Sequence, residues 1–193
     1  HGGEGARGCG RRFRGGVMTT IEYGIVQIYT GDGKGKTTAA VGAAVRAVGA
    51  GKSVAFVQFI KGGAESSELA VLRDIGVRVE RPAKRSTGLL GSGITDADRT
   101  AAAEALAIAR EIVDDGGYDF IVLDEVCIAI RYDLVAETDV IALLDDRFPG
   151  ADMVLTGRGA SEALMERADL VTEMVSHKHP YDSGRGARLG VEY

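Results

Sequence analysis

The chain has 193 residues, of which 45% are hydrophobic and 26% charged, with a formal net charge of -5. This balance suits one soluble domain with a real core, and no apolar run approaches the roughly 20 residues a membrane helix needs. Two cysteines exclude a disulfide framework, and with three histidines the pair His177 and His179 falls short of a zinc ligand set.

Residues 1–20 read as a disordered basic leader, and residues 21–193 as one folded domain. The leader carries Arg7, Arg11, Arg12 and Arg14 against Glu4, so the rest of the chain is more acidic than the total. Met18 looks like a natural start, and the apolar core of a secretory signal is missing. A cytoplasmic setting is therefore expected. An acidic folded part without a basic stripe argues against a nucleic-acid partner.

The string Tyr23–Tyr29 is β-branched and aromatic and predicts a buried strand, which Gly31 to Gly35 break. Lys36–Val48 predicts a helix with Val41, Ala44, Val45 and Val48 on one face, ended by Gly49 and Gly51. Ser53–Phe59 is a second apolar strand, followed by a loop at Lys61. Ser67–Ile75 predicts a short helix and Val77–Glu80 a brief strand. Residues 82–95 form the longest irregular stretch, a length that functional loops often have. Asp96 or Asp98 is expected to cap the next helix, which runs to about Asp114. Asp119–Leu123 is a strand ending in Asp124-Glu125, and Thr138–Leu144 is helical. Asp152–Thr156 is a strand ending in Gly157-Arg158-Gly159. Ser161–Arg167 is helical, and Leu170–Val175 is a last strand. Cys127 lies in an apolar run as a small buried side chain.

Strands that read as continuous apolar runs and alternate with helices predict an α/β fold. The expected form is a mostly parallel sheet with helices on both faces, P-loop NTPase-like (RecA-like). Ligands bind such sheets beyond the carboxyl ends of the strands. The ends named above are Gly31–Lys36, Lys61, residues 82–95, Asp124-Glu125 and Gly157–Gly159, so most candidate side chains share one rim.

The strongest signal is Thr30-Gly31-Asp32-Gly33-Lys34-Gly35-Lys36-Thr37-Thr38, which follows a strand and opens a helix, as a phosphate loop requires. Glycines let successive N–H groups curl inward onto phosphate oxygens, and the helix N-terminus adds partial positive charge. Lys36 neutralises phosphate, and the Thr37 hydroxyl can ligate Mg²⁺. The first glycine of the usual G-x-x-x-x-G-K-[ST] pattern would fall at Thr30; Gly31 and Gly33 supply the flexibility instead. Asp124 and Glu125, at a strand end beside the loop, are candidates for Mg²⁺, and the sequence leaves open which one coordinates. Arg158 is placed to reach phosphate or substrate, or to lie solvated. Gln58 and Lys61 are expected on the same rim, Gln58 either touching ligand or simply lining the rim.

These residues define a Mg²⁺–nucleotide P-loop protein, a class that includes kinases, GTPases, motors and transferases. Longer strings narrow it. TGDGKGKTTAAVGAAVRAVGAGKSVAFVQFIKG resembles the opening of the P-loop corrinoid adenosyltransferases. So do FIVLDE at Phe120–Glu125, LTGRG at Leu155–Gly159 and the tail Lys178–Tyr193, in the family's order. The resemblance covers nearly all of residues 24–193.

It implies that Co(I) of a reduced corrinoid attacks the 5′ carbon of ATP, triphosphate leaves, and a cobalt–carbon bond forms. The protein then needs no catalytic triad, because the substrate supplies the nucleophile. By the same resemblance Gly31, Asp32, Gly33, Lys34, Gly35, Lys36, Thr37 and Thr38 hold the triphosphate. Thr37 and Glu125, with Asp124 as a further candidate, hold Mg²⁺. The family also implies a homodimer, and an electron-donating reductase is an expected partner. Relatives carry a Gly-Phe-Thr-Trp-like stretch after the third strand, whose aromatics help displace the corrinoid's lower ligand. Here the region reads Thr87-Gly88-Leu89-Leu90-Gly91-Ser92-Gly93. Either Leu89 and Leu90 wedge there instead, or activity differs in rate or substrate. Two other functions fit the P-loop: a phosphotransferase or NTP hydrolase, which would release orthophosphate, and a non-catalytic nucleotide- or corrinoid-binding regulator.

Overall fold

A computed structural model describes residues 23–60, 66–82 and 93–179, together with Gly184, Gly186, Arg188, Gly190 and Val191. The expected leader at 1–20, Lys61, Leu89 and Leu90 lie outside the described residues.

Six strands form one sheet: β1 (Val26–Thr30), β2 (Val54–Gln58), β3 (Arg78–Glu80), β4 (Phe120–Asp124), β5 (Asp152–Thr156) and β6 (Leu170–Glu173). Their order is β3-β2-β4-β5-β1-β6, and every pairing is parallel. β5 thus lies between β1, which feeds the phosphate loop, and β4, which ends in Asp124. The expected α/β P-loop architecture is the one observed.

Alternation along the central strands divides the core in two. Val54, Phe56, Phe120, Val122 and Val154 face α1 (Lys36–Gly49) and α2 (Ser67–Asp74). Ala55, Val57, Ile121, Leu123, Met153 and Leu155 face the other side. There they meet α3 (Asp96–Asp115), α4 (Val126–Arg131), α5 (Glu137–Asp146) and α6 (Glu162–Glu166). Helices therefore cover both faces. Each fully buried large side chain, such as Phe56 or Leu123, contributes about 1.5–3 kcal/mol relative to exposure.

Some local expectations need correction. The buried face of α1 is Ala40, Ala44 and Ala47, whereas Val45 is exposed; the helix lies across β1, β2, β4 and β5, and small side chains permit that approach. The cap of α3 is Thr95, not Asp96 or Asp98. Its hydroxyl accepts from the Asp98 N–H, and the Asp98 carboxylate accepts from the Thr95 N–H, a reciprocal capping box. The six-residue α4 was not expected. It begins directly after Glu125, whose φ is 62°.

Candidate functional site: a phosphate loop over a buried carboxylate

The loop after β1 is built on two glycines in the left-handed region, Gly31 at φ 92° and Gly35 at φ 119°. A side chain at Gly31 or Gly33 would collide with the Met174 backbone, at 2.5 and 2.7 Å. The Gly33 N–H also donates to the Met174 carbonyl at 2.6 Å. The loop is therefore held against the chain beyond β6. Gly35 caps α1 without a side chain, leaving first-turn N–H groups for an anion.

Lys36 is buried inside this curl. Its Nζ donates to the carbonyls of Gly31 at 2.7 Å and Gly33 at 2.6 Å. Burial holds its pKa below the ordinary 10.5; Arg158 lowers it further, against the opposing pull of Glu125, Asp32 and Asp124. Asp32 and Lys34 are exposed on the loop, and Thr38 is exposed in the first turn of α1. Lys34 Nζ donates to the Val191 carbonyl at 2.6 Å. Arg158, more than half exposed, turns toward Asp32, with Nη2 3.4 Å from its carbonyl oxygen.

Below the loop lies a row of buried polar groups at the ends of adjacent strands: Gln58 on β2, Asp124 on β4 and Thr156 on β5, each 0% exposed. Gln58 and Asp124 are register partners. Asp124 Oδ1 accepts from Thr37 Oγ1 at 2.9 Å and from Thr156 Oγ1 at 2.7 Å, and Oδ2 accepts from Gln58 Nε2 at 3.1 Å. The Glu125 N–H donates to Thr156 Oγ1 at 2.9 Å. The structure thus brings together Lys36, Thr37, Asp124 and Glu125.

It moves Gln58 from the expected rim into the layer beneath. Its Oε1 is buried without a hydrogen-bond partner among the described residues, so it is an acceptor that a bound water or ligand would satisfy. Thr156 was not singled out in the sequence. Cys127, beside this corner, is buried, and burial first and Glu125 second push its thiol up to about 12. At neutral pH it is no nucleophile.

Thr37 Oγ1 and the Asp124–Glu125 carboxylates are hard oxygen donors, the chemistry that suits Mg²⁺ shared with phosphate oxygens. Among the described residues no group of three or more His, Cys, Asp or Glu is placed to hold a metal unaided. The donor set fits a cation completed by phosphate and water.

Residues 22–193 match the family model described as ATP:corrinoid adenosyltransferase BtuR/CobO/CobP. The chain belongs to this family. It is 36% identical over 178 residues to a corrinoid adenosyltransferase of Escherichia coli K12, covering 89% of this chain and 87% of that one. The corrinoid adenosyltransferase CobA of Salmonella typhimurium LT2 gives the same identity and coverage. One from Sinorhizobium is 39% identical over 181 residues, covering 90% and 82%.

Proposed function

We propose that this protein transfers the 5′-deoxyadenosyl group of ATP to Co(I) of a reduced corrinoid, with the Gly31–Thr38 loop gripping the triphosphate as leaving group. The observation that carries the residue roles is the convergence of Lys36, Thr37 and Asp124 at the carboxyl rim of the sheet in a chain of this family.

The reaction balances without a proton transfer at carbon. The cobalt electron pair forms the Co–C5′ bond and the C5′–O bond breaks. Triphosphate departs with the electron pair of the broken C5′–O bond, and cobalt passes formally from Co(I) to Co(III). Such a step asks the protein for position and charge rather than for an acid or base. Lys36 has both its captured carbonyls on the loop, so a phosphate oxygen entering the curl exchanges with them and takes the ammonium. Gly31 and Gly35, both at positive φ, curl the loop around the phosphates, and Lys34 and Thr38 flank them. Arg158, facing Asp32, lies within the field of the same anion. Thr37 and the Asp124–Glu125 corner would hold Mg²⁺, which when bound would add to the neutralisation of the leaving group. Leu89 and Leu90 are assigned to the corrinoid on the resemblance. A homodimer and a reductase that supplies the electron belong to the reading on the same footing, and a cytoplasmic setting is proposed with them.

The test is anaerobic incubation with Mg²⁺-ATP and chemically reduced cobalamin. The expected result is a light-sensitive alkylcobalamin spectrum with triphosphate formed in equal amount. Orthophosphate without alkylation would replace the proposal with NTP hydrolysis.

A further inference from the structure

We infer that Thr156 is a positioning residue of the nucleotide site, its one hydroxyl setting the Asp124–Glu125 corner through which a cation-assisted grip on triphosphate acts. The inference rests on the adenosyltransferase reading above and deepens it.

Thr156 is fully buried at the end of β5. A hydroxyl has one proton to give and lone pairs to accept with. Here the proton goes to Asp124 Oδ1 at 2.7 Å, and a lone pair takes the Glu125 N–H at 2.9 Å. The same side chain therefore fixes the carboxylate of one acid and the backbone of the next. Glu125 is one of two non-glycine residues with positive φ among the described residues. That conformation is disfavoured for an L side chain and persists when the surroundings impose it. Thr156 is the side chain that holds its N–H.

Asp124 is tied on three sides, by Thr37, Thr156 and Gln58. Thr37 gives its proton to Asp124, so its lone pairs are turned elsewhere and are available to a cation. Asp124 then acts through Thr37, and Thr156 keeps Asp124 where Thr37 needs it. The neighbouring glycine completes the device. A Cβ at Gly157 would lie 2.8 Å from Cys127 Cβ and 2.9 Å from the Ile128 nitrogen. The end of β5 reaches the corner because position 157 carries no side chain.

The experiment uses purified protein without corrinoid and titrates ATP calorimetrically, once with excess Mg²⁺ and once with EDTA. The variants are Thr156→Val, which keeps the shape and removes the hydroxyl, and Thr156→Ser, which keeps the hydroxyl. The Val variant is expected to lose roughly 10–100-fold of the affinity that Mg²⁺ adds, with the EDTA affinity within about twofold of wild type. The Ser variant is expected to recover most of the loss. Full Mg²⁺-dependent gain in the Val variant overturns the inference. So does an equal loss with and without Mg²⁺, which is a purely structural effect, or a Ser variant as weak as Val. If the Val protein does not fold, Thr156→Ala against Thr156→Ser isolates the same hydroxyl. Wild-type protein whose ATP affinity gains nothing from Mg²⁺ would instead overturn the cation reading of the corner, and Thr156's role with it.

Discussion

The two rims of the sheet use the same residue type in opposite ways. At the amino-terminal rim, carboxylates hold backbone. Asp152 accepts from the Ile25 N–H at 3.0 Å, Asp169 from the Val26 N–H at 2.8 Å, and Asp119 from the Ser53 N–H at 3.0 Å. Lys52 joins Asp152 at 2.7 Å. These acids tie the start of one strand to a neighbouring segment. At the carboxyl rim, Asp124 accepts from side chains, two hydroxyls and an amide, and it sits beneath a loop lined with backbone donors. A carboxylate paired with main-chain N–H groups is committed to the fold. One held by side chains beneath an open loop is placed to act on a ligand through them.

The largest expected break in this contrast is Lys36→Ala. Adenosyl transfer should fall by about 100–1,000-fold or more, because the charge proposed to meet the leaving triphosphate is gone. Turnover and a thermal melt on the same preparation check it; an active variant would remove the loop from the mechanism. A matched pair sharpens the contrast itself. Asp124→Asn should weaken Mg²⁺-dependent ATP binding about 10–100-fold with little change in melting. Asp169→Asn should lower stability by about 1 kcal/mol in denaturant unfolding and leave ATP binding unchanged. Equal behaviour of the two variants would erase the distinction between the rims.

The smallest effect concerns Arg158. Burial and then Arg158 hold Lys36 below 10.5. Lys36 loses its proton as pH rises, so ATP binding should weaken on the alkaline side, starting below the range of an ordinary lysine. Removing a neighbouring cation raises the Lys36 pKa. Arg158→Met should therefore move that alkaline limb to higher pH, whatever it does to affinity at neutral pH. An ATP-binding profile against pH reads the shift; a limb that stays in place or moves down would show that Arg158 does not act on Lys36.

Much of this was legible locally. The glycine-rich string at 31–35, the apolar runs and the Asp124-Glu125 pair at a strand end carry their meaning in short windows. Thr95 and Asp98 carried a legible signal too, since a hydroxyl three residues before an acid is a capping pattern. Helix α4 was hidden for another reason. Val126–Arg131 is six residues of nearly unbroken apolar character, with no period to separate helix from strand. Thr156, and the place of Gln58 beneath the rim, were hidden because they depend on which strands are neighbours and in what register. Gln58 pairs with Asp124 from 66 positions away, and Thr156 reaches it from 32. No local window contains either relation.

The place of β5 sets a dimension. Parallel neighbours lie about 4.8 Å apart, so one intervening strand puts the ends of β1 and β4 roughly 10 Å from each other. The rigid sheet therefore works as a gauge block, fixing the gap between the anion cradle and the acid corner before any ligand arrives. Gauge and spacing cannot be tuned separately. A one-residue slip of β5 would leave the width unchanged but turn Thr156 to the opposite face, and the acid corner would stand at the right distance without the hydroxyl that sets it.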